Sequence, residues 1–123
     1  MLRKNFISFG KPYLGSNEIK SVQKVIKSHW IGTGNITHNF EKKFSSYKKV
    51  KHSISLNSCT AGLHLSLLFF NLKKNDEVIT TPITFAATIN SIILAGAKPV
   101  LVDIRSDTFN IDENKIEEKI TKN

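Results

Sequence analysis

The residues best suited to chemistry form a short polar loop, residues 57–62 with the sequence NSCTAG. Apolar residues before this loop favour a strand and good helix formers after it favour a helix, so the loop is predicted at a helix N-terminus. The first N–H groups of a helix have no intrahelical acceptor, and the helix dipole is positive there. A phosphate can therefore bind to the backbone of Thr60 and Ala61, with additional hydroxyl donors from Ser58 and Thr60.

The same loop also fits an ordinary helix cap. Ser58 or Thr60 would then only satisfy the orphan N–H groups of a buried helix. The loop carries neither a Walker sequence nor a spaced-glycine dinucleotide fingerprint, which argues against an ordinary nucleotide-binding loop. The residues alone thus leave a phosphate site and a simple cap as two open interpretations.

Two further places could face a ligand. Gly32 and Gly34 flank Thr33 in a loop that can approach a ligand closely, although a plain turn explains the same residues. Phe85 lies where a predicted strand passes into a predicted helix. In a parallel sheet, that edge is where ligands bind.

Hydrophobic spacing predicts the elements that position these loops. A turn with Asn75 in a left-handed backbone conformation is expected between the central helix and the strand that follows it. The alternation of strands and helices predicts an α/β fold with right-handed crossovers and a mainly parallel sheet between helical layers. Helices are predicted from Ser16 or Asn17 to about residue 28, over 39–47, from the 57–62 loop to about Asn71, over 85–95, and after Asp112, with strands over 52–56, 77–80 and 100–104.

Composition narrows the class of protein. The formal net charge is +8, but the lysines are scattered through every predicted element, so a nucleic-acid binder is not expected. Cys59 is the only cysteine, and the histidines show no metal-ligand spacing, so neither a disulfide nor a metal site is expected. No apolar run suits a signal peptide or a membrane span, which predicts a soluble cytoplasmic protein.

Taken together, these pieces resemble the DegT/DnrJ/EryC1/StrS family of sugar aminotransferases, which are pyridoxal-phosphate enzymes of fold type I. The resemblance implies the N-terminal part of that family's large domain over residues 1–123, with an N-terminal arm and helix over 1–38 and the start of the α/β core over 39–123. No second domain is expected. The resemblance rests on the order and spacing of residues 30–34, 40–41, 57–64, 76–82, 84–88, 96–100 and 102–103.

The resemblance also assigns roles to individual residues. It implies that Ser58, Thr60 and Ala61 bind the phosphate of pyridoxal phosphate and that Phe85 stacks on its pyridine ring. The loop of Gly32, Thr33 and Gly34 would lie near the entrance for a nucleotide-sugar substrate. Two positions depart from the family pattern: Cys59 stands where glycine or alanine is common, and Asn75 stands where glycine is usual.

The implied reaction moves an amino group from an amino acid, usually glutamate, to a keto-sugar nucleotide. The lysine that forms a Schiff base with the cofactor and the acidic partner of the pyridine nitrogen lie beyond this stretch of the family, so no catalytic residue is assigned here. The chain alone is expected to be an inactive fragment, from a truncated or interrupted reading frame or from expression of a part, and the complete protein a homodimer. Two alternatives stay open: a sugar dehydratase of the same family, with histidine in place of the lysine, and a non-catalytic binding or regulatory remnant.

Overall fold

A computed structural model describes residues 10–122 of the chain. The expectations that fall on residues 1–9 and on Asn123, including the start of the predicted N-terminal arm, lie outside the described residues. The described residues divide into two units, at the boundary between Ser55 and Leu56, and each unit is described by itself.

The first unit begins with helix α1, Ser16–Lys27. Its N-cap is Gly15, and the Glu18 carboxylate accepts the Gly15 N–H at 2.7 Å. The predicted caps, Ser16 and Asn17, were therefore wrong by one or two positions. Glu18 three residues beyond the cap reaches back to Gly15, which is one half of a capping box and satisfies the N–H without a hydroxyl side chain.

Helix α2 spans Asn35–Lys48, so it begins four residues before the predicted start. Its N-cap is Gly34, and it ends at Lys49, whose φ of 55° is left-handed. The predicted aromatic stripe is present, with the rings of Phe40 and Phe44 6.0 Å apart. Ile36, four residues before Phe40, continues the same stripe into the first turn of α2, so the spacing was present there and the predicted start was simply too late.

The strand predicted over residues 52–56 does not form; no described residue of this segment pairs with another strand. The segment is hydrogen-bonded to helix α2 instead, through one backbone N–H and one side-chain hydroxyl. The Ser55 N–H donates to the Glu41 carboxylate at 2.8 Å, and the Ser53 hydroxyl donates to the Glu41 carbonyl at 2.5 Å. A strand needs a neighbouring strand for its ladder, and an apolar run in the sequence cannot supply one.

The second unit contains helix α3, Cys59–Phe69, strand β1, Glu77–Thr80, helix α4, Ala86–Leu94, and strand β2, Lys98–Leu101. The two strands are parallel, with Glu77 opposite Lys98 and Thr80 opposite Leu101. Helix α4 forms the crossover between them and packs against α3 and both strands. The predicted α/β fold with a parallel sheet is thus confirmed in this βαβ unit. Its buried residues are Thr80, Ser91, Ile92, Ala97 and Val102.

The predicted boundaries were right for β1. Helix α4 is one residue shorter than predicted at each end, where Phe85 and Ala95 are its caps, and the left-handed Gly96 follows.

Strand β2 was predicted over 100–104 but spans Lys98–Leu101, so it begins two residues earlier and ends three residues earlier than predicted. Lys98 joins it through its backbone N–H, which donates to the Asp76 carbonyl at 2.9 Å, and its side chain forms an ion pair of 2.8 Å with Glu77 on the neighbouring strand. Pairs of oppositely charged residues on neighbouring strands stabilise a sheet, and the hydrophobic pattern of the sequence does not reveal such pairs.

Two predictions near the turns were wrong. Asn71, with φ 52°, rather than Asn75 adopts the left-handed conformation, because α3 ends there and the Asp76 carboxylate closes the next turn by accepting the Lys73 N–H at 2.6 Å. The helix predicted after Asp112 consists of 3₁₀ turns at Glu113–Lys115 and Glu117–Lys119. Asp112 does cap the first of them, through the Asn114 N–H at 3.2 Å.

Candidate functional site

The 57–62 loop lies at the N-terminus of α3, as predicted. Ser58 is the N-cap residue, and its extended backbone turns its hydroxyl back over the first turn of the helix. The Ser58 Oγ accepts the Ala61 N–H at 3.1 Å, and the Ser58 carbonyl accepts the Gly62 N–H at 3.3 Å. The capping interpretation of this loop is therefore observed directly.

The cap leaves two backbone donors at the start of the helix. Among residues 10–122, the N–H groups of Cys59 and Thr60 have no hydrogen-bond acceptor. Ala61, which the sequence assigned to the phosphate, already donates its N–H to Ser58. A phosphate group fits this end of α3, since two adjacent free donors and the positive end of the helix dipole point to an anion.

The small residues of the 57–62 loop have different surroundings. At Gly62, an added Cβ would lie 3.4 Å from Cδ1 of Leu56, so packing within the unit accounts for the glycine. Cys59 occupies the first position of α3 and its thiol is exposed. The Thr60 side chain is also exposed, which leaves its hydroxyl open to a ligand at the same helix end.

Phe85 occupies the equivalent place on α4, which packs against α3. It is the N-cap residue, its carbonyl accepts the Thr88 N–H at 2.9 Å, and its side chain is 81% exposed. The neighbouring Thr84 and Thr88 hydroxyls are bonded to each other at 2.9 Å. An exposed aromatic ring held at a helix end offers a flat apolar face on which a planar ligand can stack.

The Gly32–Thr33–Gly34 loop belongs to the first unit, where it follows Trp30. The Trp30 indole N–H donates to the Thr33 carbonyl at 2.9 Å. A Cβ added at Gly34 would lie 2.6 Å from Nε1 of Trp30, so Gly34 must lack a side chain, whereas a Cβ at Gly32 would meet no atom within 4 Å. Of the three predicted residues, the two glycines line a cavity of about 590 Å³, and Thr33 holds the indole.

Sequence reasoning missed two residues that organise these loops. Trp30 covers Gly34 and lines the cavity, and the signal that could have found it is the single tryptophan two residues before a Gly-Thr-Gly run. Glu41 holds residues 53–55 to α2, and its pKa is lowered because its carboxylate accepts the Ser55 N–H. Nothing in the local sequence marks that contact, since its partners are 14 residues apart.

Metal sites and membrane-spanning helices were not expected from the sequence. Within residues 10–122, no group of three or more His, Cys, Asp or Glu side chains could hold a metal ion. No helix among these residues is long and apolar enough to cross a membrane.

Comparison with known proteins gives a family for this arrangement. Residues 12–123 match the model of the DegT/DnrJ/EryC1/StrS aminotransferase family. The chain is 52% identical, over 99% of its length, to the uncharacterised protein MJ1066 of Methanocaldococcus jannaschii, and 41% identical, over 97%, to the spore coat polysaccharide biosynthesis protein SpsC of Bacillus subtilis. It spans about a third of the length of these relatives, 32% and 31% respectively.

Solved structures agree with the fold. Spr1654 of Streptococcus pneumoniae, solved in its pyridoxal-phosphate and pyridoxamine-phosphate forms, superposes with a TM-score of 0.85 at 38% identity, over 94% of this chain and 29% of that protein. The GDP-4-keto-6-deoxy-D-mannose-3-dehydratase of E. coli, with bound hydrated pyridoxal phosphate, gives a TM-score of 0.83 at 26% identity, over 91% and 30%. Both neighbours place this chain in fold type I and carry the same cofactor.

Proposed function

Because the chain belongs to the DegT/DnrJ/EryC1/StrS aminotransferase family, whose cofactor is pyridoxal phosphate, we propose that it supplies the cofactor-binding edge of a sugar aminotransferase. The observation that carries this proposal is the pair of unpartnered N–H groups of Cys59 and Thr60 beside the Ser58 cap. Membership of the family indicates that the ligand is pyridoxal phosphate. The two free N–H donors are the reason that its phosphate would bind at this end of the helix.

Each residue has a distinct task in this proposal. The Thr60 N–H and hydroxyl bind the cofactor phosphate, together with the Cys59 N–H. Ser58 caps the helix, because its oxygen accepts the Ala61 N–H, and its hydroxyl, which donates to Asn57 Oδ1 at 3.4 Å, would have to turn from Asn57 to donate to a phosphate oxygen. Phe85 provides the stacking face, whose 81% exposure leaves room for a ring.

The proposed reaction replaces the carbonyl oxygen of a keto-sugar nucleotide with the amino group of glutamate. Glutamate gains a carbonyl oxygen in exchange and is released as 2-oxoglutarate. When bound, pyridoxal phosphate supplies the electron sink that makes this exchange of amino and carbonyl groups possible. The residues described here bind and orient the cofactor, and they hold no group that moves a proton at the reacting carbon.

The chain on its own is therefore proposed to bind the cofactor without catalysing transamination. The test incubates the purified chain with pyridoxal phosphate, glutamate and a keto-sugar nucleotide, and measures 2-oxoglutarate release and retention of cofactor in equilibrium dialysis. We expect retention without release. Release above the rate without protein would refute the proposed inactivity, and failure to retain the cofactor would refute the proposed binding role.

A second candidate, a sugar dehydratase of the same family, is favoured by the similarity to the E. coli dehydratase. The two activities use the same cofactor site and differ in the residue that handles protons at the reacting carbon. Reading the coding DNA beyond Asn123 decides between them. A lysine in the family's Schiff-base position supports the aminotransferase, and a histidine there supports the dehydratase.

The quaternary state and location belong to the same proposal. Helix α1 carries an apolar stripe, Ile19, Val22 and Ile26, that is 58–60% exposed, which suits burial against a second subunit. We therefore propose a homodimer for the complete protein. A cytoplasmic location is proposed with it, since the single exposed Cys59 is compatible with a reducing compartment. Sedimentation of the complete protein at several concentrations tests the dimer.

A further inference from the structure

Phe85 is the N-cap residue of α4, although its side chain has no oxygen to accept the N–H groups of the first turn. The ring is 81% exposed, so packing within the described residues does little to hold it. The direction of the ring therefore depends on the backbone that carries it. A ligand gains most from such a ring when that backbone is held in one conformation before binding.

Thr88 is hydrogen-bonded both to Phe85 and to the residue before it. The Thr88 N–H donates to the Phe85 carbonyl at 2.9 Å, and the hydroxyls of Thr84 and Thr88 share a hydrogen bond of 2.9 Å. Thr88 is half-buried within α4, whereas Thr84 is exposed in the loop before it. The two bonds thus tie residues 84–85 to a residue that the helix itself holds.

The rest of the loop between β1 and α4 is bonded within itself. Pro82 has a fixed φ, and the Ile83 N–H donates to the Thr81 hydroxyl at 3.4 Å, which is long for a hydrogen bond. The bond between Thr84 and Thr88 is shorter and joins the end of the loop to α4. Both residues are branched at Cβ, which restricts their χ1 rotation and favours a single geometry for the pair.

We propose that Thr84 and Thr88 are positioning residues for the cofactor: their hydroxyl pair holds the backbone of Phe85 so that its ring is ready to stack on the pyridine ring. The inference rests on the proposed function, which makes the planar ligand pyridoxal phosphate. Neither threonine is assigned a contact with the cofactor. A residue that is ordered before binding loses less conformational entropy on binding, so the pair contributes to affinity through Phe85.

Valine variants remove the hydrogen bond and keep the branched shape of threonine. Thr84→Val and Thr88→Val each remove it from one end, so the inference does not depend on the folding of one variant. Thr84→Ser keeps the hydroxyl and should behave as the wild type. Thr81→Val is the matched control in the same loop, because the Thr81 hydroxyl accepts from Ile83 within the loop. Far-ultraviolet circular dichroism checks the folding of each variant.

Cofactor binding to the full chain is measured by equilibrium dialysis and by circular dichroism in the absorption band of pyridoxal phosphate. The cofactor is not chiral, so this band shows circular dichroism only when the protein holds the ring in a fixed orientation. Both valine variants should bind the cofactor more weakly, by up to about 10-fold, the loss expected for one aromatic stack. They should also show a smaller signal per bound cofactor. Thr84→Ser and Thr81→Val should keep the wild-type affinity and signal.

A double variant separates positioning of Phe85 from general stabilisation of α4. In Phe85→Ala the ring is absent, so adding Thr84→Val should change cofactor affinity by less than about 2-fold, whereas independent effects would multiply. Inorganic phosphate, which has no ring, should bind Thr84→Val as it binds the wild type. Multiplying effects, or wild-type affinity and signal in both valine variants, would overturn the inference.

The order of Phe85 in the chain without ligand is measured through the ¹⁵N order parameter of its amide. This parameter should be near the rigid-backbone value of about 0.85 in the wild type and lower in Thr84→Val. If the cofactor is retained and the valine variants match the wild type, the inference fails while the proposed function stands. If the wild-type chain does not retain the cofactor, the proposed function fails. The order parameter then decides alone: a lower value in Thr84→Val supports the positioning of Phe85, and an unchanged value refutes it.

Discussion

The Ser58 Oγ lies 3.1 Å from the Ala61 amide nitrogen and accepts its hydrogen bond, so one serine both caps α3 and leaves the preceding two N–H groups free. This relationship separates two effects that are usually combined at a helix N-terminus. The cap stabilises the helix, and the free donors of Cys59 and Thr60 are available to an anion.

Substitutions at Ser58 test this separation. Ser58→Ala should lower the free energy of unfolding by about 1 kcal/mol, because the Ala61 N–H loses its acceptor. Ser58→Asp should retain the stability, since aspartate caps as well as serine, yet it should abolish pyridoxal-phosphate binding because its carboxylate repels the phosphate. Thermal unfolding and equilibrium dialysis measure the two properties. Cofactor binding by Ser58→Asp at the wild-type level would show that the phosphate lies elsewhere.

Substitutions at Phe85 and Ile92, both in or beside α4, test the proposed stacking role of Phe85. Phe85 is 81% exposed, so Phe85→Ala should change the free energy of unfolding by less than about 0.5 kcal/mol. Loss of stacking should nevertheless weaken cofactor binding by about 0.5–1.5 kcal/mol, and Phe85→Tyr should preserve it. Ile92→Ala is the control for stability: at 2% exposure it should cost about 2–5 kcal/mol. Unchanged cofactor affinity in Phe85→Ala would remove the stacking role.

Gly34 is predicted to be required by Trp30 rather than by its own backbone, whose φ of −173° is extended. A Cβ at Gly34 would lie 2.6 Å from Nε1 of Trp30, so Gly34→Ala should displace the indole and break its bond to Thr33. A shift in the tryptophan emission maximum would report this. Gly32→Ala, where the Cβ meets nothing within 4 Å, should leave the emission unchanged. Equal shifts in both variants would contradict the assignment.

The hydrogen bond from the Ser55 N–H to the Glu41 carboxylate should make the stability of the first unit sensitive to acid. The pKa of Glu41 is lowered from 4.5, first because the carboxylate accepts the Ser55 N–H and to a lesser extent because His38 lies beside it. A lowered folded-state pKa means that this contribution to stability is complete above 4.5 and is lost as the pH falls through the lowered value. Glu41→Gln should therefore flatten the decline of the thermal midpoint on acidification.

The matched control for this pH dependence is Glu118→Gln, at an exposed position in the second unit. That variant should keep the wild-type decline. If Glu41→Gln shows the same decline as the wild-type chain, the Glu41–Ser55 contact does not contribute to acid sensitivity.

Local signals in the sequence were sufficient for β1, for α4 and for the cap of α3. The apolar run of β1, the glycine after α4 and the position of Phe85 between them are set by neighbours within a few residues, so the sequence predicts them well. The cap in the polar loop before α3 was predicted for the same reason and is confirmed at Ser58, whereas the anion site there stays a prediction. The family resemblance rests on the same local segments and was confirmed by the match over residues 12–123.

The failures come from contacts between residues distant in the sequence. Residues 52–56 were predicted as a strand, but the Ser55 N–H and the Ser53 hydroxyl donate to Glu41, and no ladder partner is found among the described residues. The apolar residues after Asp112 suggested a helix, yet Thr121 donates to the Glu77 carboxylate, 44 residues away, and the backbone there forms only 3₁₀ turns. Periodicity carries no information about such partners.

The free N–H groups at the start of α3 are proposed to bind the phosphate of pyridoxal phosphate. Amide chemical shifts of the ¹⁵N-labelled full chain are measured during titration with pyridoxal phosphate, with inorganic phosphate and with pyridoxal, which lacks the phosphate. We predict that the Cys59 and Thr60 amides shift with the first two ligands and not with pyridoxal, and that the Ala61 amide, bonded to Ser58, moves less. Unmoved Cys59 and Thr60 amides at saturating pyridoxal phosphate would contradict the claim.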